Sequence, residues 1–246
     1  MTVLRRTGRL AGLAVLAVLA SAGPARASAV RYKVDQHGDF VLLGNTLGFD
    51  CGAGVPAPTV PATAPTGCGT NTADTAPDVF WQAADSGSAT GSNGITNAQA
   101  RSTAMLVLPT GAVITYARLY WSAEWTGTPD TTALLERPGT SDAFSTTVNA
   151  DASFSATSST AQTFYQSTAD VTALVQAHGA GAYRVGDVSA VDLRNLNDET
   201  AYAGWAMVVF YRLDSDPQRN LTIFDGLDLI NSQGASVTDT LSGFLV

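Results

Sequence analysis

Short runs of alternating apolar and polar residues, separated by Gly, Pro, Ser, Thr and Asp, punctuate this chain and predict strands joined by turns. The segment DFVLLGNTLGF (39–49) reads as an early strand that turns at Gly44-Asn45, and APDVFWQA around Phe80 and Trp81 as another. DSGSATGSNGITNAQA between them and the next strand is small and polar, a surface loop. STAMLVLPTGAVITYARLYWSAEW (102–125) divides into two strands at Pro109-Thr110-Gly111. In the second, strict alternation puts Val113, Thr115, Ala117, Leu119 and Trp121 on one face, and Ile114, Tyr116, Arg118 and Tyr120 on the other. GTPDTTALLERPGT is a turn, a short strand and a turn. Residues 141–163 are almost wholly Ser, Thr, Ala and Asp around Phe144 and Phe154, and suit exposed strands or a long loop equally.

One segment departs from the alternation. In STADVTALVQAHGAG (167–181), Thr168 or Asp170 can act as N-cap, Val171, Leu174 and Val175 fall at helical spacing, and Gly179 and Gly181 supply a stop. The spacing predicts a helix of about two turns near 169–178, too short to stand alone and docked by its Val171/Leu174/Val175 edge. AYRVGDVSAVDL then resumes strand character. In YAGWAMVVFYRLDSDPQRNLTIFDGLDLI (202–230), Trp205, Met207, Val209 and Tyr211 alternate with Ala206, Val208 and Phe210, so both faces are apolar. Such a strand is central and covered on both sides. With the Pro217-bearing break and the strand from Leu221, it is expected to form a central hairpin or near-hairpin, and Asp225-Gly226 reads as a bulge or turn. The last segment, ASVTDTLSGFLV, still alternates when the chain stops at Val246, so a truncated domain is expected.

Upstream of these elements the pattern is of another kind. Arg5, Arg6 and Arg9 precede the apolar run LAGLAVLAVLASAG, and small-residue sites end at Ala27 and Ala29. That is a secretory signal peptide over residues 1–29, cleaved after Ala27 or Ala29 and followed by one β-sandwich domain over 30–246. The mature chain is therefore expected to be secreted or held at the cell surface, and no later run is apolar enough to span a membrane. Of 13 basic residues the leader holds four, which leaves nine against 21 acids, a formal charge of −12. A balance so acidic disfavours nucleic acid and anionic lipid, which both demand clustered Lys and Arg.

Candidate chemistry is sparse. Cys51 and Cys68, the only cysteines, enclose a loop rich in Pro, Ala, Gly and Thr and read as one disulfide in an exported chain. Closing it is worth roughly 3 kcal/mol on the chain-entropy account. His37 and His178, the only histidines, accompany no G-x-S-x-G turn and no zinc-ligand spacing, and His178 suits the C-terminal end of the helix. No phosphate loop or dinucleotide fingerprint occurs. DLRNLNDET gathers Asp192, Asn195, Asn197, Asp198 and Glu199, with Asp214 and Asp216 nearby in sequence. It matches no EF-hand and reads as a solvated turn, with calcium as the alternative. Trp81, Trp121, Trp125 and Tyr165 could present a sugar-stacking platform; Trp121 and Trp205 fit the core better, which leaves Trp125 as the exposed residue for ligand binding.

Three ordered blocks, ARSTAMLVLPTGAVITYARLYWSAEW, ADVTALVQAHGAGAYRVGDV and YAGWAMVVFYRLDSDPQRNLTIFDGL, resemble the N-terminal module of large secreted bacterial surface proteins. That type carries repeats and includes myxobacterial members labelled gliding-motility-associated. The DVT-x-L-V helix followed by Gly and a strand is similar to a feature of jelly-roll carbohydrate-binding modules. The resemblance implies an extracellular sandwich without assigned catalytic residues, and Lys33, the sole lysine, argues against an isopeptide cross-link.

The fold expected is all-β, an antiparallel, jelly-roll-like β-sandwich with one short helix. The function expected is a structural or adhesive surface module that is not an enzyme and needs no cofactor, with an extracellular glycan or a cell-surface protein as partner. A carbohydrate-binding module and a secreted glycan hydrolase with an acidic pair are the alternatives. The disulfide is checked by thiol labelling of the non-reduced mature protein, which should find no reactive cysteine; two labelled thiols would refute it.

Overall fold

The computed structural model describes residues 29–50, 79–85, 88–91, 94–139, 141–158, 161–193, 201–230, 238 and 240–243. In chain order the strands are β1 (Ala29–Thr46), β2 (Gly48–Asp50), β3 (Val79–Asp85), β4 (Ser88–Gly91), β5 (Arg101–Leu106), β6 (Val113–Glu124) and β7 (Thr132–Arg137). They continue with β8 (Phe144–Asn149), β9 (Ala152–Thr157), β10 (Thr163–Asp170), β11 (Gly181–Gly186), β12 (Ala203–Arg212) and β13 (Gln218–Asp225). The helix α1 (Thr172–His178) sits between β10 and β11. The expected all-β sandwich with one short helix is what the chain forms.

Two sheets enclose the main core. One has the order β13-β1-β12-β6-β10-β9 and the other β2-β3-β5-β11-β7-β8, with β4 beside β3. Pairing is antiparallel apart from the contact of β3 with β5 at Ala83 and Arg101. Between the sheets lie Leu119, Trp121, Met207 and Val209 from the first, and Trp81, Leu106, Leu135, Tyr183 and Val185 from the second. Buried aromatics use their polar ends as ties: the Trp205 indole donates across the core to Ser102 Oγ at 2.8 Å, and Trp121 to the Asp130 carbonyl at 3.0 Å. A buried indole N–H without such an acceptor would carry the full cost of its desolvation. The polar segment 141–163 resolves into β8 and β9, exposed strands at one edge of each sheet.

Strand β1 differs from the expectation of a strand turning at Gly44-Asn45. It runs on through both residues, and it changes partner at Gly38. Residues 38–46 pair with β12, while residues 29–37 pair with β13. The expected hairpin of 202–230 therefore does not form: β12 and β13 do not pair with each other, because each takes β1 as its neighbour. At the break, the two sides of one peptide group bond in different directions. The His37 carbonyl accepts from Leu213 N–H at 3.1 Å, and Gly38 N–H donates to the Pro217 carbonyl at 3.4 Å. Gly38 has φ +141°, and a Cβ there would collide with the Tyr211 carbonyl oxygen. Only glycine fits that position without strain.

The consequence is a third layer. Residues 29–37 and β13 form a two-stranded ribbon that packs on the outer face of the first sheet. There Tyr116, Phe210 and Leu221 make a second, smaller core with Tyr32, Val34, Val208 and Ile223 around it. Tyr32 stacks flat on Tyr116, with ring centroids 3.7 Å apart and an interplanar angle of 3°. The two apolar faces of β12 are thus covered by different layers, the sandwich interior on one side and the ribbon on the other.

A bulge in β6 alters the faces that strict alternation assigns. Phe210 pairs with Tyr116 but Tyr211 with Ile114, so Thr115 is the extra residue. Ile114 consequently joins the main core while Tyr116 stays on the outer face. Beside the bulge, β10 ends opposite Arg118, and α1 takes over the backbone of β6 on the side that β10 has left. Thr172 Oγ1 accepts from Ala117 N–H at 3.0 Å, and the Gln176 amide donates to the Ile114 carbonyl at 2.9 Å. The helix docks by Val171, Leu174 and Val175 as its spacing predicts. The N-cap residue is Val171, without a side-chain cap, so neither expected residue occupies that position: Asp170, one residue earlier, accepts from Thr172 N–H at 2.8 Å, and Thr168 lies within β10, bonded to the Leu119 carbonyl. Of the alternating tail, the described residues Thr238 and 240–243 are not in a strand.

Replacing Gly38 by Ala should lower the stability of the mature protein by about 1–3 kcal/mol, read as a shift of the urea midpoint with unchanged slope. An unshifted midpoint would mean that β1 does not fold back at this residue.

Candidate functional site

The polar groups of the outer face gather where the ribbon ends. Alternation on β6 points Arg118 and Tyr120 outward beside Val208 and Ala206 of β12, with which they are in register. Asp225, the last residue of β13, is carried over this face by the ribbon. Its carboxylate is 3% exposed, and its Oδ2 accepts from Arg31 Nε at 2.7 Å and from the Tyr120 hydroxyl at 3.2 Å. Arg118 Nε stands 3.8 Å from the same oxygen. The Arg118 guanidinium, also 3% exposed, donates in addition to the Tyr116 hydroxyl at 3.2 Å and to Asp151. Burial, with the Asp225 carboxylate next in weight, pushes the Tyr120 phenol well above its ordinary value of 10.0, so it remains a donor to that carboxylate.

Two atoms of this cluster are buried without a hydrogen-bond partner, Asp225 Oδ1 and Arg118 Nε. Beside Asp225 opens a cavity of about 430 Å³. Its floor is the outer face of the first sheet at Leu42, Ala206, Val208, Tyr120 and Gln166, and its roof is the chain from Ile223 to Asp228. The Gln166 amide ties roof to floor by donating to the Gly226 carbonyl at 3.2 Å. Another cavity, about 520 Å³ beside the end of α1, is lined mainly by Leu108, Pro109, Val113 and Ile114. The amide nitrogen of Gln176 there is already given to the Ile114 carbonyl, so the cavity under the ribbon has the richer chemistry.

The residues singled out from sequence lie elsewhere. Trp125 is half-buried and packed against the main core, with its indole nitrogen 2.9 Å from where a Cβ on Gly127 would stand. The stacking platform does not form, because Trp81, Trp121 and Tyr165 are at most 1% exposed. His178 occupies the last turn of α1 with its ring 4.3 Å from that of Phe144. The carbonyls beyond the helix are met instead by Tyr183, which donates to Gly179, and Arg137, which donates to Gly179 and Ala180. His37 bonds the Asp216 carbonyl at 2.7 Å, and Asp214 is a surface partner of Arg212. Asp192 accepts from the Trp81 indole at 3.2 Å. Cys51 and Cys68 lie outside the described residues, as do Asn195, Asn197, Asp198 and Glu199, on which the calcium alternative rests. Among the described residues no three His, Cys, Asp or Glu side chains are grouped so as to hold a metal ion, and no helix is long and apolar enough to cross a membrane.

Asp225 is thus more than the bulge or turn its sequence suggests. It is the one acid of the ribbon that meets two guanidinium groups, and no local pattern marks it, since its partners are 194 and about 107 positions away. No protein-family model, curated protein or solved structure matches this chain.

Removing the Asp225 charge as Asp225→Asn should cost on the order of 3 kcal/mol in chemical unfolding, because Arg118 stays buried with one partner fewer. Arg31→Ala should cost about 1 kcal/mol, because that guanidinium is 26% exposed and partly screened. Equal losses would show that water screens both ion pairs alike.

Proposed function

We propose that this chain is a secreted or cell-surface β-sandwich module with a structural or adhesive role and no catalytic activity, meeting an extracellular glycan or a cell-surface protein. The observation that carries the reading is the use to which the buried charges of the described chain are put. Asp225 fastens the ribbon to the sheet through Tyr120 and Arg118 and ties the ribbon's own two strands through Arg31, and Glu136 draws together Arg101, Arg184 and Ser145 on the second sheet. Both carboxylates bridge elements that are distant in sequence. The leader pattern and the three blocks that resemble bacterial surface modules support the same reading. Beside the ribbon, Phe40 and Leu42 stand 52% and 63% exposed on the outer face, apolar surface of the kind that contacts partners.

The alternatives draw less from the geometry. A carbohydrate platform built on Trp125 loses its neighbouring aromatics to the core. A hydrolase would use two acids across a cleft; the cavity under the ribbon offers Asp225 and Asp228, but Oδ2 of Asp225 is engaged by Arg31 and Tyr120.

Beads coated with the mature protein should be retained on bacterial cells or insoluble cell-wall polysaccharide more than albumin-coated beads, with no release of reducing sugar. Release of reducing ends that disappears in Asp228→Asn would replace the adhesive reading by the hydrolytic one.

A further inference from the structure

We propose that the cavity beneath the end of the ribbon binds a neutral, hydroxyl-rich ring, a sugar unit of an extracellular glycan, with Asp225, Asp228, Gln166 and Tyr120 as its polar contacts. The inference rests on the adhesive reading above and adds the site and the class of ligand.

Size comes first. A volume of about 430 Å³ lies in the range of roughly 300–1,000 Å³ typical of small-molecule sites. The lining is mixed in the way such sites are: apolar Leu42, Ala206 and Val208 on the floor, Ile223 and Phe224 in the roof, and a few polar groups converging between them. The cavity exists because Ala206, in register with Gly44 on one side and Tyr120 on the other, leaves the sheet low at this point.

Hydrogen-bond chemistry then narrows the ligand. Asp225 lines the cavity, and its Oδ1 is buried without a hydrogen-bond partner. An acceptor left so is destabilising, more so when charged, and a ligand that brings a donor relieves that cost. The other polar groups at the cavity mostly ask for donors. Tyr120 donates its hydroxyl hydrogen bond to Asp225, and its oxygen can still accept. One N–H of the Gln166 amide is given to the Gly226 carbonyl, which leaves the other N–H and the oxygen for a ligand that both donates and accepts. Asp228 adds a half-buried carboxylate. A ligand with several hydroxyls satisfies such a set.

Charge separates the remaining donor-rich candidates. An ammonium ligand drawn to Asp225 would meet Arg31 and Arg118, already 2.7 and 3.8 Å from its other oxygen. An anionic ligand would meet Asp225 and Asp228. A neutral polyol suffers neither repulsion, and the C–H faces of its ring match the apolar floor.

The test is a titration of the isotopically labelled mature protein with glucose, galactose, N-acetylglucosamine and their soluble oligomers, followed by NMR shifts. At least one of these sugars should produce saturable shifts at Gln166, Ala206 and Val208. Asp228→Ala should weaken that binding about tenfold, and Ala206→Phe, which fills the floor, should abolish it. Asp228 is half-buried and outside the strands, so its variant reports even if Ala206→Phe fails to fold. Absence of saturable shifts with every sugar would overturn the proposal, as would shifts confined to Trp125, or ethylammonium saturating the same resonances while no sugar does. If coated beads adhere but no sugar shifts these resonances, the cavity is wrong and the adhesive reading stands. If a sugar fills the cavity but beads do not adhere, the cavity stands and the adhesive reading falls.

Discussion

The outer face of β12 cannot be left in water, and most of what is particular to this fold follows from that constraint. Val208 and Phe210 on that face continue into Tyr116 on β6, and burying a side chain of this size is worth about 1.5–3 kcal/mol. The second sheet already occupies the other face. Cover has to come from elsewhere, and β1 and β13 provide it by leaving the sheet plane together as a ribbon. For one strand to serve both the sheet and its cover, it has to break direction where the two meet. Gly38 does so at a backbone geometry that a side chain would obstruct.

Apolar contact holds the ribbon down, but it does not by itself set where the ribbon lies. The stacking of Tyr32 on Tyr116 is tolerant of sliding, whereas the ion pairs of Asp225 are not. A buried carboxylate between two guanidinium groups is costly to form and more costly to misplace, so it fixes the register of β13 over the sheet. The same placement leaves Oδ1 buried without a hydrogen-bond partner, in a residue that lines the cavity. Fastening and the proposed sugar contact therefore fall on one residue.

The helix shows how a missing strand can be replaced by side chains. β10 stops opposite Arg118, so the preceding residues of β6 have carbonyl and amide groups that no strand meets. Thr172 and Gln176 of α1 meet them, while Val171 and Val175 close the end of the core. The amphipathic spacing in sequence was enough to find this helix and its docking edge. Which groups it would satisfy depended on where β10 ends, and nothing within 167–181 encodes that.

Local patterns carry the strands, the helix, the buried Trp121 and Trp205 and the doubly apolar β12, because periodicity and turn chemistry act over a few residues. They are silent on partners. That β12 and β13 both pair with β1 rather than with each other is decided across some 160 to 200 positions. The meeting of Asp225 with Arg31 and Arg118 is likewise long-range, and alternation along 202–230 looks the same either way. The bulge at Thr115 moved Ile114 into the core by one extra residue, a shift that alternation cannot register. Trp125 looked exposed because its neighbours in sequence are polar, yet it leans on the core and on Gly127. Sequence by itself determined which segments become strands and which faces must be buried, since those follow from side-chain chemistry at fixed spacing. Only the tertiary structure decided what buries them and where one carboxylate oxygen is left without a partner, since both depend on the layers that long-range pairing brings together.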